Sequence, residues 1–121
     1  MSILFDNPYE EERPWGKFSK FTENEPSTVK ILTVDPGEAF SLQHHNHRSE
    51  FWVIMSGNGT VEVGDISEPI KPGRHYLIPI NTKHRITAGS EAVVLLEISL
   101  GDFDEKDIVR LDDRYGRTKH E

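Results

Sequence analysis

Short apolar runs separated by turn residues recur along the chain. Each run is rich in Val, Ile or aromatic side chains, and the runs occupy residues 29–34, 51–55, 60–63, 76–80 and 93–100. Tight turns are indicated between them by Asp35-Pro36-Gly37, Ser56-Gly57-Asn58-Gly59 and Lys71-Pro72-Gly73. Strand-like runs at this spacing predict an all-β domain. Helical periodicity is weak throughout, and we expect only one short helix, around residues 104–109.

The run that begins at Glu50 is apolar on both faces except for that carboxylate. Such a strand suits the inside of a sandwich or a barrel. A buried carboxylate is costly unless a cation or a hydrogen-bonding partner compensates it. Glu50 is therefore the first candidate for a functional residue.

Length and composition narrow the classes of function. The 121 residues fit a single domain, and the absence of cysteine excludes disulfides and thiolate chemistry. A net charge of −7 argues against nucleic-acid binding. The start of the chain does not resemble a signal peptide, and no apolar stretch approaches the roughly 20 residues of a membrane span. We expect a cytoplasmic protein without a membrane or nucleic-acid partner.

Histidines are concentrated in the middle of the chain, where five of the six lie between residues 44 and 84. Gln43 and His45 share one face of a strand, because side chains at i and i+2 point the same way. Glu50 has the opposite parity, so the chain must turn before it. His84 begins a later strand. Together the four side chains predict one divalent metal site; the competing interpretation is a set of ordinary surface histidines in a polar loop.

The predicted ligand set contains only nitrogen and oxygen donors. One amide, two imidazoles and one carboxylate suit Zn²⁺, Mn²⁺, Fe²⁺, Co²⁺ or Ni²⁺, and Zn²⁺ is the first expectation.

Two segments resemble the motifs of a known superfamily. Residues 37–57 resemble the first cupin motif, with Gln43 where its first histidine usually stands. Residues 73–84 resemble the second motif, with Asn81 in place of its glycine. The resemblance implies a cupin double-stranded β-helix, a jelly-roll barrel, in a single domain. The division we expect is an N-terminal arm over 1–26, the cupin barrel over 27–101 and a charged C-terminal tail over 102–121 that packs on the barrel.

A closer resemblance is to the type II phosphomannose isomerase domain. Its landmarks occur in order as RPWGK at 13–17, LQ at 42–43, His45, HRSE at 47–50 with Trp52, and DIVRLDDRYGR at 107–117. The chain departs from the family pattern at Asn46 and Phe51, where members commonly carry histidine. The resemblance implies metal-dependent interconversion of mannose 6-phosphate and fructose 6-phosphate. In that family the domain is often fused behind a sugar-nucleotide pyrophosphorylase.

An aldose–ketose isomerase needs a base that moves a proton and a cationic group that holds the phosphate. His47 and Glu97 are the candidate bases, and Arg48 is placed beside the metal by its spacing from Glu50. Further candidates for binding the phosphorylated hexose are Lys30, Arg85 and Arg110. The alternatives are a sugar-binding or sugar-phosphate-binding cupin without catalysis and another metal-dependent cupin enzyme such as an oxygenase. We also expect a homodimer, with residues 1–15 as an arm that adds a strand across the partner.

Overall fold

The computed structural model describes residues 9–102, 104 and 106–117. This part of the chain contains eleven strands and no helix, so the all-β prediction is confirmed. The strands are β1 Tyr9–Arg13, β2 Gly16–Lys20, β3 Ser27–Val34, β4 Leu42–His44, β5 Arg48–Ser56, β6 Gly59–Val63, β7 Ile66–Pro69, β8 His75–Ile78, β9 His84–Ala88, β10 Val93–Gly101 and β11 Val109–Asp112.

Two antiparallel sheets make the body of the molecule. One has the strand order β3-β10-β5-β8, and the other has the order β11-β4-β9-β6-β7. β1 and β2 form a separate hairpin. The chain leaves one sheet after β4 and enters the other at β5, so Gln43 and Glu50 belong to different sheets.

The main core lies between the two sheets. Trp52 and Ile54 of β5 pack there with Val61 of β6, Ile86 of β9 and Leu95 of β10, all at most 1% exposed. Side chains of β5 alternate, so Glu50, Trp52 and Ile54 point inward together. The inner face therefore carries the carboxylate into the apolar interior.

A second, smaller cluster covers the outer face of the four-stranded sheet. Phe51, Ile98 and Leu100 form it, and Phe21 packs against Phe51 with ring centroids 4.9 Å apart. His75 stacks on Phe51 at 5.4 Å. Phe51, where the family commonly has histidine, thus points away from the interior that contains Glu50.

One turn depends on its glycine. Gly57, between β5 and β6, has φ +108°, and a Cβ built there would lie 2.2 Å from the carbonyl oxygen of Ala92. Any larger residue would push the β5–β6 connection away from β10.

The helix predicted around residues 104–109 is wrong. In the described part of this stretch, the backbone N–H of Asp107 donates to the carbonyl oxygen of Asp104 in a turn, and Val109 begins β11. β11 then pairs with β4, which has three residues. Pairing with an existing sheet edge outweighs the weak local helical preference of a charged segment.

The division at residues 26 and 101 stays a prediction, as does the arm that crosses to a partner. Residues 1–8 of that arm lie outside the described residues, and the rest of it enters a hairpin in which β1 pairs with β2 of the same chain. The described residues include no helix long and apolar enough to cross a membrane.

Candidate metal centre

His45, Glu50 and His84 converge inside the barrel. His45 follows β4, Glu50 lies near the start of β5 and His84 is the first residue of β9. One ligand atom from each lies within 4.8 Å of the others, and all three side chains are at most 3% exposed. Side chains from three separate parts of the chain therefore form one buried group that can hold a metal ion.

Two atoms of this group lack a hydrogen bond from any residue that the structure describes. They are Oε1 of Glu50 and Nε2 of His84, which lie 3.3 Å apart. Unpartnered polar atoms at such depth cost free energy unless a cation completes them. The donor set and these two atoms fit a divalent metal ion held by His45, Glu50 and His84.

Both imidazoles are oriented by backbone carbonyls. Nδ1 of His45 lies 2.6 Å from the carbonyl oxygen of Asp107, and Nδ1 of His84 lies 2.8 Å from that of Thr82. Each Nδ1 therefore carries the proton and donates it, which leaves the Nε2 lone pair for a metal. Burial lowers the pKa of His45 and so favours the neutral, ligating form.

Gln43 shares the face of this group. It pairs directly with His84 across β4 and β9, and directly opposed residues of antiparallel strands point the same way. Its Oε1 accepts a hydrogen bond of 3.2 Å from Ser41 Oγ. Gln43 as the fourth ligand stays a prediction, and its register position supports it.

The ionisation state of Glu50 depends on the side chains around it. Burial by itself would raise the pKa of Glu50, but His84, His45 and Arg48 together lower it to about 2. The guanidinium of Arg48 donates from Nε to Glu50 Oε2 at 3.1 Å and from Nη2 to His45 Nε2 at 3.3 Å. Glu50 is therefore ionised, as a metal ligand must be.

A cavity of about 610 Å³ opens beside the centre. Its wall includes Gln43, His45, Arg48 and Glu97. Glu97 comes from β10 and is 6% exposed; the indole N–H of Trp52 donates to its Oε2 at 3.2 Å. Burial, and after it the negative charge of Glu50, raise the pKa of Glu97 to about 7. A carboxyl group that can gain or lose a proton near neutrality thus faces the cavity.

Cationic side chains line the same cavity. Arg110 pairs with Gln43 across β11 and β4, and its buried Nε makes no hydrogen bond within the described part of the chain. Lys30 pairs with Glu97 across β3 and β10 and lowers the pKa of that carboxyl. The cavity therefore joins a candidate metal group to positive charge.

Two of the predicted site residues lie elsewhere. His47 is exposed in the β4–β5 connection and is not among the described residues of the cavity wall. Arg85 donates to Glu62 at 2.8 Å and to Asp112 at 3.1 Å. It follows His84 along β9 and so points to the opposite face of the sheet.

Sequence reasoning did not identify Asp107 as a residue of the site. Its carbonyl oxygen accepts the Nδ1 proton of His45, while its carboxylate accepts the backbone N–H groups of Asn46 at 2.8 Å and His47 at 2.9 Å. An acidic residue in a charged tail has no distinguishing pattern, because its role depends on backbone atoms 60 residues away. The only signal for Asp107 was its position at the start of the family segment 107–117.

Two facing antiparallel sheets with a buried His-Glu-His group define a cupin barrel. Residues 5–113 match the family model described as "Mannose-6-phosphate isomerase C-terminal". The chain belongs to this family, which confirms both the fold class and the resemblance that the motifs indicated.

Curated relatives are much longer proteins. "Mannose-1-phosphate guanylyltransferase 2" of Escherichia coli O157:H7 is 39% identical over 111 residues, which cover 90% of this chain and 22% of the relative. "Xanthan biosynthesis protein XanB" of Xanthomonas campestris pv. campestris (strain B100) is 38% identical over 108 residues, which cover 88% of this chain and 23% of the relative. The chain thus spans less than a quarter of the length of either relative.

Solved structures share the barrel. A cupin-2 domain from Rhodospirillum rubrum aligns with a TM-score of 0.61 and 25% identity, covering 70% of this chain and 58% of that one. A "Putative sugar phosphate isomerase" from Acidithiobacillus ferrooxidans aligns with a TM-score of 0.56 and 26% identity. The alignment covers 61% of this chain and 49% of that one.

Proposed function

We propose that the chain is a metal-dependent isomerase of a phosphorylated hexose, with mannose 6-phosphate as the first substrate to test. One observation carries the proposal: the cavity wall that includes His45 of the His-Glu-His group also includes a buried carboxyl and an arginine whose Nε has no described partner. These are the three parts that aldose–ketose chemistry requires, a metal, a base and an anion-binding group.

His45, Glu50 and His84, with Gln43 as a fourth donor, would hold the metal. The chemistry that a divalent cation would supply there is polarisation of the sugar carbonyl and stabilisation of negative charge next to it. Zn²⁺ is the first candidate, and Mn²⁺, Fe²⁺, Co²⁺ and Ni²⁺ suit the same donors.

Glu97 is the better candidate for the base. It lines the cavity, and its raised pKa of about 7 suits proton transfer near neutrality. Its carboxylate would accept the proton from C2 of the open-chain aldose and return it to C1, while the hydroxyl proton moves from O2 to O1. His47 lies on the surface and is the weaker candidate.

Arg110 and Lys30 are the candidate phosphate ligands. Both belong to the cavity wall, and the unpartnered Nε of Arg110 is an N–H donor that an anionic oxygen would satisfy. Arg85 is less suited, because two carboxylates already engage it on the outer face.

The test is exchange of the C2 proton. Metal-loaded protein is incubated with mannose 6-phosphate in D₂O, and NMR follows both deuterium at C2 and the appearance of fructose 6-phosphate. We expect both in the wild-type protein and neither in Glu97→Gln, with the metal content unchanged. Binding of the sugar phosphate by metal-loaded protein without exchange would refute catalysis.

The second candidate function is binding of a sugar phosphate without turnover. Relatives named as mannose-1-phosphate guanylyltransferases support it, because the matching region is less than a quarter of those proteins. The exchange experiment separates the two functions. An iron oxygenase is a weaker third candidate, since charged side chains such as Lys30, Arg48 and Arg110 line the cavity beside the apolar ones.

A further inference from the structure

The guanidinium of Arg48 lies against the candidate metal ligands. Its side chain is 6% exposed, and its donors reach Glu50 Oε2 at 3.1 Å and His45 Nε2 at 3.3 Å. His45 Nδ1 already donates its proton to the carbonyl oxygen of Asp107, so Nε2 has one lone pair. That lone pair can accept an N–H group or ligate a metal, but it cannot do both.

We propose that Arg48 and the metal ion compete for Nε2 of His45, and that metal binding transfers the guanidinium to the cavity, where it holds an anion. The inference rests on the proposed metal site and adds a coupling between the metal and an anionic ligand. Arg48 already belongs to the cavity wall, on which Arg110 and Lys30 also lie.

The direction of the coupling follows from charge. A divalent cation held by His45 Nε2 and Glu50 Oε1 would repel the guanidinium that is hydrogen-bonded to the same two side chains. It would also take His45 Nε2 away from the guanidinium as an acceptor. Nη1 of Arg48 keeps its bond of 3.0 Å to the carbonyl oxygen of Asp104, which holds the side chain near the cavity. An anion there would replace the acceptor lost at His45, so each ligand strengthens the binding of the other.

The first measurement is the affinity of the metal-free protein for Zn²⁺, in competition with a chromophoric chelator. Arg48→Gln should bind Zn²⁺ about tenfold more tightly than the wild type, because the competing cation is gone. Arg117→Gln is the matched control. Arg117 lines the same cavity but donates to Asp113 at 2.8 Å, so its loss should change the Zn²⁺ affinity less than about threefold.

The second measurement is the affinity for inorganic sulfate with and without Zn²⁺. Sulfate should bind the wild type more tightly when Zn²⁺ is present, and Arg48→Gln should lose most of that enhancement. Arg48→Lys keeps a positive charge but not the two-armed donor, and it should lie between the two in both measurements. It also provides a readout if Arg48→Gln fails to fold.

The outcomes separate this inference from the proposed function. Zn²⁺ affinity that is unchanged or weaker in both Arg48 variants would overturn the competition, while leaving the metal site in place. A wild-type protein that binds no Zn²⁺ would overturn both. A sulfate enhancement that persists in Arg48→Gln would refute the transfer of the guanidinium.

Discussion

Replacing His84 by Ala should separate metal binding from folding. The imidazole is 1% exposed, packs edge-on to Trp52 at a centroid distance of 5.3 Å and donates to the carbonyl oxygen of Thr82. Its removal deletes one proposed ligand and leaves a cavity. We therefore expect two effects on the free energy of unfolding, one without metal and one that appears only with metal.

The effect without metal is a destabilisation of about 2–5 kcal/mol, the usual cost of truncating a large buried side chain to Ala. Loss of the hydrogen bond to Thr82 adds roughly 1–3 kcal/mol, while removal of the unpartnered Nε2 returns a similar amount. These two contributions nearly cancel, so the cavity dominates in the presence of EDTA.

In the presence of Zn²⁺, His84→Ala should lose more stability relative to the wild type than it does in EDTA. Free Zn²⁺ at 100 times its dissociation constant stabilises the wild type by about 2.7 kcal/mol, and the variant should lose this stabilisation. An unfolding entropy of about 2.1 cal/mol/K per residue gives about 0.25 kcal/mol/K for 121 residues. Zn²⁺ should therefore raise the midpoint of the wild type by about 11 °C and that of His84→Ala by very little.

Thermal unfolding followed by circular dichroism, in EDTA and in buffered Zn²⁺, measures both effects. His75→Ala is the control, because His75 stacks on Phe51 in the outer cluster and should keep the full Zn²⁺ shift. A wild-type Zn²⁺ shift in His84→Ala would show that the metal binds elsewhere.

Three further predictions follow from the same structure. Arg110→Gln should raise KM for mannose 6-phosphate about tenfold with kcat nearly unchanged in steady-state assays, since loss of uniform binding leaves kcat intact; a fall in kcat alone would contradict this. Asp113 accepts hydrogen bonds from Arg117, which lower its pKa from 3.8 to about 2. Its contribution to stability should be complete above about pH 4 and disappear as the pH falls through about 2, so urea unfolding should show the wild type and Asp113→Asn converging over that window. The β1–β2 hairpin is mostly exposed, and isolated hairpins are marginally stable, so we predict a dimer in which a partner covers it; sedimentation should show a dimer at micromolar concentration, and a monomer would count against it.

The strands of the core were predictable because their apolar runs are continuous. The runs at 29–34, 51–55, 60–63 and 93–100 fall within β3, β5, β6 and β10. The run at 76–80 extends beyond β8, which ends at Ile78 before Pro79. Strands with few apolar residues, such as β2, β4 and β7, gave no such signal, since pairing with neighbouring strands rather than local composition defines them.

The convergence of the candidate metal ligands was predictable for a different reason. Because side chains alternate along a strand, the sequence placed Gln43 and His45 on one face and required a turn before Glu50. In the structure the chain changes sheets between β4 and β5. The spacing placed Arg48 beside Glu50, as observed, but its contact with His45 and the partners of Arg85 were not predictable. Which charged side chain lies on which face of the assembled barrel depends on strand register, and a motif does not contain that information.

Asp107 makes the orientation of His45 depend on a segment that follows the strands of the four-stranded sheet. His45, Glu50 and His84 precede Gly101, but the carbonyl oxygen that orients His45 belongs to a residue synthesised after all barrel strands of the four-stranded sheet. A nascent chain exposed only as far as Gly101 has the three ligands without the acceptor that holds one imidazole in its ligating tautomer. A chain cleaved after Gly101 would therefore have a His45 without its orienting partner.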